Sequence, residues 1–135
     1  MYYRVLVLII FTSFISSCES GIEKSQRLYD IGLDDFEYGL YKEAIVSFDQ
    51  AIEADPDNFE ALYYKGNCYM NMGDYVTAIK EYSNAVLVNP NYADAFANRG
   101  QAKFYLNDRP AACLDYQIAH DLGKPNMEDK LRHCK

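Results

Sequence analysis

The chain repeats itself every 34 residues, and this period constrains its fold more than any other feature. Gly32, Gly66 and Gly100 are separated by that step. So are Ala44, Ala78 and Ala112, then Phe48, Tyr82 and Tyr116, then Ala51, Ala85 and Ala119. The bulky set Leu28, Leu62 and Phe96 keeps the register, as do Pro56 and Pro90. Tyr41 and Tyr75 recur, with Arg109 in the third position. A period of roughly 20–50 residues marks a stack of like units, none of which buries its apolar face alone.

Each unit reads as two helices. Over 60–72, Leu62, Gly66 and Tyr69 fall at helical spacing. Gly73-Asp74 supplies a turn, with the glycine as a left-handed helix end. Over 75–88, Ala78, Tyr82 and Ala85 share one face, and Asn89-Pro90 closes the unit because proline cannot extend a helix. The glycines and alanines let paired backbones approach, and the aromatic at 48, 82 and 116 fills the space between them.

These residues resemble the tetratricopeptide repeat, whose 34-residue pattern is bulky, Gly, Tyr, Ala, Phe or Tyr, Ala, Pro. The middle copy is the most complete, with Leu62, Gly66, Tyr69, Gly73, Tyr75, Ala78, Tyr82, Ala85 and Pro90 in register. The first copy departs at Asp35, and the third at Lys103, Arg109 and Lys124. The resemblance implies an all-α solenoid of three helix-turn-helix repeats, at 25–58, 59–92 and 93–124. Departures are expected at the ends of a stack, where neighbours are missing. Residues 125–135, with Met127, Leu131 and Cys134, are read as a capping helix.

The first eighteen residues read as an address. Arg4 is their only charge, Val5 to Ile15 is an apolar run interrupted only by Thr12 and Ser13, and Ser16-Ser17-Cys18 follows. This is a secretory signal by pattern, and too short to span a bilayer, which takes roughly 20 apolar residues. Ile15-Ser16-Ser17-Cys18 resembles the lipobox of bacterial lipoproteins. That likeness implies cleavage after Ser17, leaving a signal peptide of 1–17, and palmitate-type acylation of Cys18. Two or more acyl chains make a stable anchor. The alternatives are a plain secreted protein or a retained anchor. Residues 18–24 are then a lipidated tether, and the expected location is the bacterial envelope, on the outer membrane, facing the periplasm or the exterior.

An exported compartment permits disulfides. Cys113 and Cys134 lie equally far from the bend at Gly123-Lys124, so antiparallel helices bring them side by side. Such a bond closes a loop of about 20 residues, worth about 3 kcal/mol by chain entropy. The competing reading makes Cys113 a small core residue in the position of Ile45 and Ile79. Cys68 is read as an inert buried thiol. His120 takes the position of Ile52 and Val86, so packing explains it better than a metal site with His133.

The net charge of -7 makes nucleic acid a poor partner, because that binding depends on Lys and Arg. No GxSxG, Gly-rich phosphate loop or HExxH occurs. Neither an enzyme, a cofactor, a metal nor a small-molecule substrate is expected. The family resemblance places the first helix of each repeat on a concave face. Its second stripe there reads Tyr29, Leu33 and Phe36; Tyr63, Asn67 and Met70 with Asn71; and Ala97, Gln101 and Phe104 with Tyr105. Such a surface suits an extended peptide or a partner helix. Members that grip acidic chaperone tails use Lys, Arg and Asn where this chain has Tyr29, Leu33, Tyr64, Asp94 and Asn98, so a neutral or basic partner is implied. The reading is a membrane-tethered protein-interaction module, with a carbohydrate-capture lipoprotein as the alternative.

Overall fold

The computed structural model describes residues 19–134, so Cys18 and the segment before it lie outside the described residues. Seven helices follow one another: α1 Gly21–Glu37, α2 Tyr41–Ala54, α3 Phe59–Asn71, α4 Tyr75–Val88, α5 Ala93–Tyr105, α6 Arg109–Asp121 and α7 Glu128–Arg132. They form three helical hairpins stacked in sequence, with α7 packed on α6.

Local chemistry sets these boundaries. Asn58, Asp74 and Asp108 each accept, through a side-chain oxygen, the backbone N–H three residues on, capping α3, α4 and α6. Within each hairpin the chain reverses through a left-handed residue: Gly39 at φ 75°, Gly73 at φ 80° and Asn107 at φ 61°. Asparagine tolerates that conformation better than other side-chain-bearing residues, so it replaces glycine in the third copy. Before the prolines, the Asp55 and Asn89 side chains accept the N–H groups of Asp57 and Asn91, both at 3.1 Å.

Helix α1 opens earlier than the repeat register implies. Ser20 and Glu23 make a capping box, the Ser20 hydroxyl accepting the Glu23 N–H at 3.1 Å and the Glu23 carboxylate accepting the Ser20 N–H at 3.0 Å. Residues 21–24, read from sequence as part of a tether, are therefore helical. Gly21 also passes close to α2, since a Cβ there would lie 2.7 Å from the Ala54 carbonyl oxygen.

The core repeats with the sequence. Phe48, Tyr82 and Tyr116 are buried between the hairpin helices. A Cβ on Gly32, Gly66 or Gly100 would come within 2.6, 2.7 or 2.8 Å of those rings. The small residue and the large one therefore belong together. Burying one such ring contributes roughly 1.5–3 kcal/mol.

A second, polar set joins one hairpin to the next. Lys65 bridges Asp49 of the preceding repeat at 2.7 Å and Glu81 of its own at 3.3 Å. One step on, Arg99 donates to Ser83 of the preceding repeat at 3.1 Å and forks onto Asp115 at 2.7 and 2.9 Å. Lys103 shares the buried Asp115 at 2.7 Å. Burial lowers the Lys65 pKa, but Asp49 and Glu81 outweigh it, so the pKa lies above the ordinary value. No buried side-chain nitrogen or oxygen lacks a partner among the described residues.

The last element is shorter than the 125–135 expected, running Glu128–Arg132. It is fixed by Met127, which is buried, and by a disulfide between Cys113 and Cys134 whose Cα atoms are 5.6 Å apart. His120 departs from its expected packing role. It is exposed, and its Nδ1 lies 3.4 Å from the Asp121 carboxylate.

Candidate interaction groove

The first helices α1, α3 and α5 carry the stripe identified in the sequence, and the structure divides it. Tyr29, Leu33 and Phe36 are half-buried and pack against the core of the first repeat. Tyr63 is half-buried beside Leu62 and Ala95. Asn67, Met70 and Gln101 are half-buried, while Asn71 is exposed and donates its amide to the Asn67 carbonyl at 2.8 Å. Phe104 and Tyr105 are exposed, at 38% and 51%. Tyr105 turns from the row to pack on Tyr75, with ring centroids 4.9 Å apart.

Around these side chains runs an aromatic chain that continues across the repeats. Tyr29 meets Tyr64 at 5.8 Å, Tyr64 meets Tyr63 at 5.2 Å, and Tyr63 meets Tyr92 at 5.0 Å. Phe36 joins at Tyr64, 5.6 Å away, and Phe59 at Tyr92, 5.0 Å away. All five pairs are edge-to-face, an arrangement the ring quadrupole favours. Tyr64 and Tyr92 were not in the sequence-derived stripe. The signal was available, since Tyr64 stands next to Tyr63 and Tyr92 closes the most complete repeat.

A hydrogen-bond chain fixes the middle of the surface. The Tyr82 hydroxyl donates to Asn67 Oδ1 at 2.7 Å, and Asn98 Nδ2 donates to the same oxygen at 2.9 Å and to the Tyr63 hydroxyl at 3.0 Å. The amide of Asn98, which links α5 back to α3, is thus committed inside the fold. Burial, together with the carboxylate of Asp94, pushes the Tyr63 hydroxyl above its ordinary pKa. Tyr29 is raised by burial first, and then by Tyr64, Glu60 and Asp30.

At the third repeat the surface meets the cap. The Tyr116 hydroxyl donates to Gln101 Oε1 at 3.3 Å, Lys130 of α7 donates to the same oxygen, and its ammonium lies 5.1 Å from the Tyr116 ring centroid. Gln101, Phe104, Tyr116, Lys130 and His133 line a cavity of about 280 Å³. The departures of this repeat from the pattern each have a contact. Lys103 holds Asp115, Arg109 lies over the Phe104 ring at 5.8 Å, and Lys124 pairs with Asp94. Cys68 lies apart from the groove, and burial pushes its thiol up to about 12, which leaves it protonated and inert.

A tetratricopeptide repeat family model matches residues 35–104, more than half of the chain, and the chain belongs to that family. No curated protein sequence matches it. Among solved structures, the first tetratricopeptide domain of Spaghetti (RPAP3), bound to the HSP90 peptide SRMEEVD, is 28% identical. The match covers 84% of this chain and 91% of that one, with a TM-score of 0.80. MamA is also 28% identical, over 83% of this chain and 62% of that one, with a TM-score of 0.75. The N-terminal domain of stress-induced protein-1 from C. elegans shares the fold at 20% identity, covering 87% of this chain and 98% of that one, with a TM-score of 0.79.

Proposed function

We propose that the protein is a membrane-tethered interaction module that holds a peptide or helix of an envelope partner in its groove. The observation that carries the reading is the continuous aromatic chain from Tyr29 to Tyr92, braced by Asn67 and Asn98 and left partly open, with Phe104 exposed on the third repeat. Rigid aromatics positioned by a hydrogen-bonded scaffold suit a binding face, because few rotamers are lost on contact. The peptide held by the related RPAP3 domain supports a polypeptide ligand in general. An acidic one fits poorly, since Tyr29, Leu33, Tyr64 and Asp94 offer it no cation and Asn98 is already bonded. The tether is Cys18, carrying the lipid that the Ile15-Ser16-Ser17-Cys18 motif implies, with the outer membrane as its location.

Two measurements test this. Mass spectrometry of protein extracted from membranes should find Cys18 as an acylated first residue, and cleavage elsewhere overturns the tether. Pull-down from native envelopes should lose partners when Tyr63 or Phe104 becomes Ala, a cost of about 2 kcal/mol for an anchor residue. Circular dichroism should show both variants folded. Recovery of the same partners by folded variants overturns the groove reading.

A further inference from the structure

Charge is distributed very unevenly along the stack. Residues 19–58 hold 11 Asp and Glu against 3 Lys and Arg, a net of −8, whereas residues 59–135 hold nine of each. The remaining charge is Arg4, so the whole net of −7 originates in the first repeat. This field falls on the groove as well as on the outer surface. Asp30 is exposed one residue from Tyr29, and its carboxylate accepts the Gln26 amide at 2.9 Å. Asp30 and Glu60 both act on the Tyr29 hydroxyl, and Asp94 acts on those of Tyr63 and Tyr92. Glu60 and Asp94 are one repeat apart, so the second and third repeats each put a carboxylate beside groove tyrosines, where the first has Gln26.

The chain also shows what such a carboxylate takes. At the third repeat, Asp94 is occupied by Lys124, which comes from the loop leading to the cap. The rings of this repeat are likewise covered by the chain's own cations: Arg99 over Phe96 at 5.2 Å, Arg109 over Phe104 and Lys130 over Tyr116. At the first two repeats, Asp30 and Glu60 have no ion-pair partner among the described residues. No cation stands over Tyr29, Phe36 or Tyr63 among the described residues either. Asp94 and Phe104 are thus met by Lys124 and Arg109, whereas their counterparts one and two repeats earlier, Glu60 and Phe36, meet no cation among the described residues.

We infer that the groove takes an extended polypeptide segment bearing lysine or arginine, whose cationic side chains lie over the first two repeats between Asp30 and Glu60, against the Tyr29 and Tyr63 rings. Cation–π contact and carboxylate pairing act together at such seats. Lys124 and Lys130 occupy the third repeat and so confine such side chains to the first two. The inference rests on the groove reading above and adds the chemistry of the partner.

The test uses the full chain in detergent and two fluorescent peptides of about ten residues. One carries several lysines interspersed with tyrosine and alanine, and the other has glutamine for each lysine. The lysine peptide should bind more tightly, and its affinity should fall as salt rises. Asp30→Asn and Glu60→Gln should each weaken it by roughly two- to fivefold. Lys124→Ala should strengthen it by a similar factor, since Asp94 is released while the disulfide still holds the cap. If the glutamine peptide binds equally and Tyr63→Ala weakens both, the groove stands and the cationic inference falls. If the lysine peptide binds but is indifferent to Tyr63→Ala and to both carboxylate variants, it binds elsewhere, and both readings fall. If neither peptide binds, the cationic inference falls, and the pull-down alone decides the groove.

Discussion

The two ends of the stack close the same kind of open surface in different ways. At the N-terminal end, side-chain identity does the work. Ala61 and Ala95 are buried against the preceding hairpin, and the first repeat has Arg27 at that position. Cys68 and Ala102 are likewise buried, and their counterpart is Asp34, which is exposed. The bridging bases Lys65 and Arg99 become Ile31, and the acids Glu81 and Asp115 become Ser47. At the first repeat the ion bridge is absent among the described residues, and its positions carry residues that need no partner. The C-terminal end keeps small buried residues and covers them with α7. A five-residue helix is far below the length that is stable alone, so the cap depends on Met127 and on a covalent link. Substitution therefore closes an end without added structure, whereas a covering element needs an anchor of its own.

The strongest way to break this contrast is to make the C-terminal end resemble the other. Asp115→Ser copies Ser47 but leaves Arg99 and Lys103 without their carboxylate. We expect a loss of about 4 kcal/mol, the range for removing one partner of a buried pair, measured by urea denaturation. Replacing Cys113 and Cys134 together by Ala should cost about 3 kcal/mol by loop closure. The loss should be concentrated in the cap, so that hydrogen exchange accelerates at 127–134 before it does at α3 and α4. Met127→Ala should cost about 2 kcal/mol and show the same localisation. Ile31→Lys, which restores the repeat's base where it has no acid to meet, should change stability by no more than about 0.5 kcal/mol. A large loss there would mean that Ile31, 43% exposed, packs against something, and that the N-terminal face is not simply solvated.

The repeat boundaries and the packing of Gly against aromatic residues were legible because they recur three times, so each copy corroborates the others. The pairing of Cys113 with Cys134 was legible from their equal distance to one turn. What recurs only twice was harder to read. Lys65 with Arg99, and Glu81 with Asp115, keep the 34-residue step, but charges on a helix ordinarily read as solvated, and only the stacked hairpins show them bridging. His120 was misread because its position is apolar in the other repeats, whereas in the third it is exposed. The early start of α1 was hidden because Ser20 and Glu23 precede the periodic region, although their three-residue spacing was a usable cap signal. In the groove, helical spacing placed the stripe but could not reveal that Tyr105 leaves it or that Tyr64 and Tyr92 complete the aromatic chain.

The capping box at Ser20 and Glu23 has a consequence for how a partner would be met. On the proposed anchoring, only Glu19 and Ser20 separate the lipidated residue from a helix packed at Gly21 onto Ala54. Fully extended, two residues reach about 7 Å, less than the width of one helix. Such a leash allows swivelling but little excursion, so the domain would sweep a thin layer next to the bilayer instead of a volume. Encounters would become a search in a plane, favouring partners that are themselves membrane-bound or that present their segment close to the lipid.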